Sequence, residues 1–186
     1  MKKYNKLLLL AVILISLFGL LMIYSSSNIW AEYKYNDPYK YLKSQAIFLI
    51  IGYILMIIIS KFPYQNYKKL ANIIFLTCTI MLILVLIPGI GTVRNGSRSW
   101  FGIGSLGLQP SEFTKLGLII FTSKYLANNT KELKDIKKGV LPILGVLLLI
   151  FGLIMLEPDF GTGVVIVMTI IVLLFISGVK MNFFIK

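Results

Sequence analysis

The chain has 186 residues, 58% of them apolar and 14% charged. Soluble domains are roughly 45–50% apolar and disordered tails are more polar still, so both classes are excluded. The formal charge is +12, but the cations lie in short stretches between apolar runs, a record of membrane orientation and not a nucleic-acid face. There is no histidine and one cysteine, Cys78, inside an apolar run. That removes disulfides, Cys/His zinc sites, a Ser-His-Asp triad and an imidazole proton shuttle, leaving carboxylates, Lys, Arg and hydroxyls for any chemistry.

In chain order, six apolar segments read as membrane spans: 7–24, 42–60, 70–87, 113–126, 140–156 and 162–177. A helix needs roughly 17–25 such residues to cross a bilayer, and the fourth and sixth segments are short unless flanking residues join them. The polar/apolar alternation of a membrane barrel is missing. The expected fold class is therefore all-α, a polytopic transmembrane helix bundle forming a single membrane domain over 1–186. The first segment follows Met1-Lys2-Lys3-Tyr4-Asn5-Lys6 and precedes Ser25-Ser26-Ser27. Its length, and the spans after it, make it an uncleaved span and not a signal peptide.

With the N-terminus cytoplasmic, the inner stretches hold 13 of the 19 Lys and Arg residues and the outer stretches 6. This positive-inside bias places both ends of the sequence in the cytoplasm. The first outer stretch, 25–41, carries Trp30, Tyr33, Tyr35, Tyr39 and Tyr41, an interfacial aromatic belt. The second, 88–109, is glycine-rich and apolar and is expected to lie against the membrane or dip into the bundle. The third, Glu157-Pro158-Asp159-Phe160-Gly161, is a tight reversal. Residues 178–186 read as a cytoplasmic connection to a further element. No internal repeat is visible, so an inverted-repeat transporter gains no support.

Three polar clusters fall on the expected outer side. Arg94 and Arg98 sit in Arg94-Asn95-Gly96-Ser97-Arg98-Ser99-Trp100, where planar guanidinium suits phosphate or carboxylate, although lipid headgroups would serve as well. Gln109-Pro110-Ser111-Glu112-Phe113-Thr114-Lys115 opens the fourth span. Pro110 fits a helix start, Ser111 can cap it, and Glu112 and Lys115 share a helix face. Lys115 lies inside an apolar helix, where an unpaired charge costs about 2.5–3.5 kcal/mol, so pairing with Glu112 or a polar cavity is cheaper. In the third cluster Asp159 can cap the next helix, whereas Glu157 opposes the dipole of the one before it. Together these residues suit an amphiphile with an anionic head and a tail left in lipid.

At these residues the sequence resembles the FtsW/RodA/SpoVE family, the shape, elongation, division and sporulation (SEDS) membrane proteins. The matching pieces are Tyr24-Ser25-Ser26-Ser27, then Asn95-Gly96-Ser97-Arg98-Ser99-Trp100-Phe101-Gly102-Ile103-Gly104, Gln109-Pro110-Ser111-Glu112-Phe113-Thr114-Lys115 and Pro158-Asp159-Phe160-Gly161-Thr162. The wording of the second is closer to the division/sporulation branch than to the elongation branch.

The resemblance implies a bacterial inner-membrane protein that polymerises the lipid-linked disaccharide precursor of peptidoglycan. It would work with a class B penicillin-binding transpeptidase and other division proteins, in contact with membrane lipid and without nucleic acid. It also implies that Arg98, Glu112, Lys115 and Asp159 line a substrate cavity, with Arg94, Trp100, Gln109, Ser111 and Glu157 as accessories. The family usually reads Gln-Pro-Asp at Glu157-Pro158-Asp159, which leaves the charge balance of that cavity open. The family fold has about ten spans, of which this chain would supply about six. The family's proposed catalytic aspartate lies in a later outer loop, so no catalytic residue is assigned before Lys186. The chain alone is accordingly expected to be inactive, a truncated product or partial gene. No cofactor is identifiable and a divalent-cation requirement stays open. A lipid-precursor flippase and a non-catalytic division scaffold are the competing functions.

Overall fold

The computed structural model describes residues 5–94, 96–102 and 107–179, with Lys134 described by its backbone alone. The leading Met1–Tyr4 lysine pair, Asn95 of the arginine loop, Ile103–Leu106 and, of the expected connection over 178–186, residues 180–186 lie outside the described residues. Among the described residues there are six α-helices: α1 Lys6–Tyr35, α2 Lys40–Ser60, α3 Tyr64–Leu86, α4 Pro110–Asn128, α5 Leu141–Leu156 and α6 Phe160–Ile176. Among the described residues four stretches, Lys6–Tyr35, Lys40–Ser60, Tyr64–Leu86 and Ile136–Leu156, are long and apolar enough to cross a membrane, and Phe160–Ile176 is a shorter apolar helix. The chain is a multi-pass membrane protein. It divides into two compact units, residues 1–63 and 64–186.

In the first unit, α1 is 30 residues long, about 45 Å at the usual rise. It does not stop near Tyr24, and most of the expected loop over 25–41 is helical. The reason is local, because neither Gly nor Pro interrupts the chain between Gly19 and Pro38. Asn5 caps the start by accepting from the amides of Leu7 and Leu8, and Asn36 ends the helix in a left-handed conformation. Tyr24 stacks on Tyr39 with ring centroids 5.3 Å apart, and Ser16 and Tyr53 share a hydrogen bond across the α1–α2 pair. Most other side chains of this unit are exposed apolar groups, as befits helices surrounded by lipid.

The second unit has a continuous core. Ile143, Leu147, Ile150 and Ile154 of α5 recur at helical spacing and meet Ile166, Ile170 and Leu174 of α6, with Leu82 of α3 and Leu118 and Leu126 of α4. Small residues set the close approaches. Gly117 lies against the Cys78 thiol, and a Cβ on Gly163 would strike Met155 and Phe151. Cys78 is buried packing, as expected of a small apolar side chain. The all-helical expectation holds except in the glycine-rich stretch, which forms a short hairpin of β1 Thr92–Arg94 and β2 Ser97–Trp100. Gly96 in the turn has φ of 85°, a conformation that favours glycine.

Candidate functional site

The site is built at the end of the second unit where α3 and α5 finish and α4 and α6 begin. After α3 the chain reverses, with the Gly91 amide donating to the Ile87 carbonyl at 3.1 Å. A Cβ at Gly91 would collide with the Val85 carbonyl, so only glycine lets the hairpin start this close to the helix. Phe101 and Leu108 then exchange backbone hydrogen bonds of 2.8 and 2.9 Å, returning the chain to α4.

Strand register decides what the arginines can do. Arg94 pairs with Ser97 and Arg98 with Val93, so the two guanidinium groups leave opposite faces of the hairpin. They do not form one clamp. Arg94 is 5.0 Å from the Trp100 ring centroid and presses on the backbone at Gly107, a cation–π contact that commits it to the loop's own structure. Arg98 is half-buried, with its stem near Gly91 and no ion pair among the described residues.

Two tethers converge on the α5–α6 reversal. Ser97 donates its hydroxyl to the Glu157 carbonyl and is also 2.8 Å from the Ser99 hydroxyl. Gln109, the residue preceding α4, donates its side-chain amide to Asp159 Oδ2 at 2.8 Å. The other oxygen, Asp159 Oδ1, accepts from the Thr162 amide at 3.1 Å and so caps α6. One carboxylate thus fixes a helix start and holds the start of another helix beside it.

Glu157 is fully buried, and among the described residues neither of its carboxylate oxygens has a hydrogen-bond partner. Burial, and then the charge of Asp159, push this carboxyl up to about 8, so it is chiefly a neutral acid at pH 7. Sequence alone reads Glu157 as a charge opposing a helix dipole; burial removes that charge.

Ser111 does not cap α4. The helix starts at Pro110, whose fixed φ suits the first position, and Ser111 is therefore already inside the helix, fully buried with its hydroxyl unpartnered among the described residues. Lys115 Nζ is 2.8 Å from Glu112 Oε1, the pairing that an apolar helix demands. Glu112 is nevertheless half exposed, and Lys115 lines a narrow crevice with Leu118, Ile166 and Thr169. Among the described residues, no hydrogen bond or ion pair joins this pair to Asp159. The structure therefore brings Ser97, Gln109, Glu157 and Asp159 together, and leaves Arg94–Trp100 and Glu112–Lys115 as separate pairs nearby in sequence. Ser97 and Ser99 escaped the sequence reading. Their i,i+2 spacing, which would put both on one strand face, was the available signal once this loop is read as a strand.

A family model described as "Cell cycle protein", FtsW/RodA/SpoVE, matches residues 5–186. The chain belongs to this family. Its relatives include Stage V sporulation protein E of Bacillus subtilis (strain 168), 41% identical over 179 residues, which covers 96% of this chain and 49% of that protein. A Legionella pneumophila protein named "Probable peptidoglycan glycosyltransferase FtsW" is 35% identical over 181 residues, 97% of this chain and 46% of its own. Among solved structures, a chain of a peptidoglycan synthase complex that coordinates polymerization and crosslinking superposes with a TM-score of 0.66 at 25% identity. The match covers 90% of this chain and 48% of that one. The rod shape determining protein RodA of Thermus thermophilus gives 0.61 at 25% identity, over 89% of this chain and 53% of its own. The chain thus spans about half the length of the curated relatives it matches.

Proposed function

We propose that these residues form the N-terminal part of a peptidoglycan glycosyltransferase acting in cell division or sporulation, with both units contributing to one membrane domain. The observation that carries the reading is the match to the family along 5–186, which includes every residue of the Ser97–Gln109–Glu157–Asp159 junction. The 13-to-6 distribution of cations favours a cytoplasmic N-terminus in the bacterial inner membrane, with the junction on the outer side. The substrate is the lipid-linked disaccharide precursor, and a class B penicillin-binding transpeptidase is the partner.

Glycosyl transfer needs a base for the acceptor hydroxyl and cationic help for a departing pyrophosphate. The second role suits Arg98, which is free of ion pairs among the described residues, and Lys115, which can exchange Glu112 for a phosphate. Arg94 is spent on Trp100. No base is assigned within this chain.

A chimera tests this. Residues 1–186 replace the corresponding part of Bacillus subtilis Stage V sporulation protein E, and polymer formation from purified lipid-linked precursor is measured. Polymer from the chimera, its loss with Arg98→Ala, and none from the 186-residue chain are expected. A correctly inserted chimera with no polymer would refute the reading.

A further inference from the structure

At the opposite end of the second unit the chain between α4 and α5 is a folded cap. A 3-10 turn, Glu132–Lys134, is followed by a π-helical turn, Ile136–Val140. Leu133 is buried with Leu126, Val140 and Ile143, and Gly139 packs so tightly on Glu132 and Leu133 that a Cβ would collide with the backbone. The Tyr125 hydroxyl donates to the Lys138 carbonyl at 2.8 Å, and Asp135 accepts from the Lys137 amide at 2.9 Å. Lys124 donates to Asn72 of α3 at 2.9 Å, which brings the first turns of α3, with Lys68 and Lys69, to the same end.

The cap holds Lys131, Lys137 and Lys138 exposed, at the end of the unit that also carries exposed Lys68 and Lys69. The only acids in the cap are Glu132 and Asp135, and among the described residues neither pairs with any of these lysines. Exposed Ile136 and Leu141 flank Lys137 and Lys138 along the chain, so cations and apolar side chains are exposed together on this cap. All of this sits where membrane-spanning helices end, at headgroup level.

We infer that this cap is a binding platform for the headgroups of anionic phospholipids, with Lys131, Lys137 and Lys138 meeting the phosphates and Ile136 and Leu141 the acyl boundary. Fixed cations beside apolar side chains at a bilayer surface fit a phospholipid better than an acidic peptide, which would leave Ile136 and Leu141 uncovered. The platform stands whichever way the chain crosses the membrane, so it is independent of the proposed glycosyl transfer.

The test is a titration of the purified 186-residue chain with phosphatidylglycerol or phosphatidylcholine, counting bound lipids by native mass spectrometry. A lysine near a membrane surface contributes up to about fivefold in affinity. The combined variant Lys131→Gln, Lys137→Gln, Lys138→Gln should therefore lose at least about fivefold for phosphatidylglycerol with phosphatidylcholine unchanged. The corresponding Lys→Arg variant should retain binding, which separates lost charge from a misfolded cap. Removing three other cations, Lys34→Gln, Lys40→Gln and Lys43→Gln, should have a much smaller effect. Equal uptake of the two lipids by the unsubstituted chain would overturn the inference and leave an acidic protein segment as the fitting occupant. Equal losses in the two triple Gln variants would also overturn it.

Discussion

Glu157→Gln changes one ionisation and little else. The side chain is fully buried without a hydrogen-bond partner among the described residues, and its carboxyl is pushed up to about 8 from an ordinary 4.5. Between those values the folded protein keeps a proton that the unfolded chain has released, so stability falls as pH rises. The contribution is intact below about 4.5 and is lost as pH passes about 8. Linkage at about 1.4 kcal/mol per pH unit, flattening near the upper value, gives a loss of about 2 kcal/mol between pH 6 and 8. For a domain of this size that is a fall in Tm of about 4–8 °C. The Gln variant should lack this slope and be the more stable protein at pH 8. Thermal unfolding in detergent, followed by near-ultraviolet circular dichroism across that range, reads the difference. Parallel pH profiles for the two proteins would refute the buried neutral acid.

Three further outcomes follow from contacts at the same end of the unit. Gly91→Ala should dislodge the hairpin from α3, because the added Cβ meets the Val85 carbonyl; amide exchange over 92–100 should accelerate at least about tenfold, the equivalent of about 1.4 kcal/mol, and unchanged protection would contradict the close approach. Asp159→Ala removes the α6 cap and the Gln109 tether, and a loss of about 1–2 kcal/mol with faster exchange at Thr162 and Gly163 is expected. Glu112→Ala should cost under about 1 kcal/mol, since the Lys115 pair is half open to its surroundings. A large loss of polymer in the chimera with so small a stability change would mark Glu112 as functional and not structural.

Much of the second unit was legible in the sequence because its signals are local. Glu112 three residues before Lys115 in an apolar helix predicts their pairing, and Asp159 before an apolar run predicts a cap; the structure has both. Signals that depend on a partner element were not legible. Nothing in Ser97-Arg98-Ser99 announces that Ser97 will meet the Glu157 carbonyl 60 residues on, since the contact exists only once the hairpin folds over the α5–α6 reversal. Burial of Glu157 is equally invisible, because it depends on what surrounds the turn and not on the turn. The long reach of α1 could have been read from the missing helix breakers, but the aromatic residues after Tyr24 suggested a loop. Aromatic belts occur in helices as readily as in loops at a membrane surface.

Sidedness underlies the proposed chemistry, and impermeant thiol labelling measures it. In a Cys78→Ala background, Val93→Cys places an exposed thiol on the hairpin and Lys131→Cys places one on the opposite cap. Intact cells treated with a membrane-impermeant maleimide should label the first and spare the second until the membrane is opened. Labelling of the cap with protection of the hairpin would put the Asp159 junction in the cytoplasm, where extracytoplasmic polymerisation could not use it.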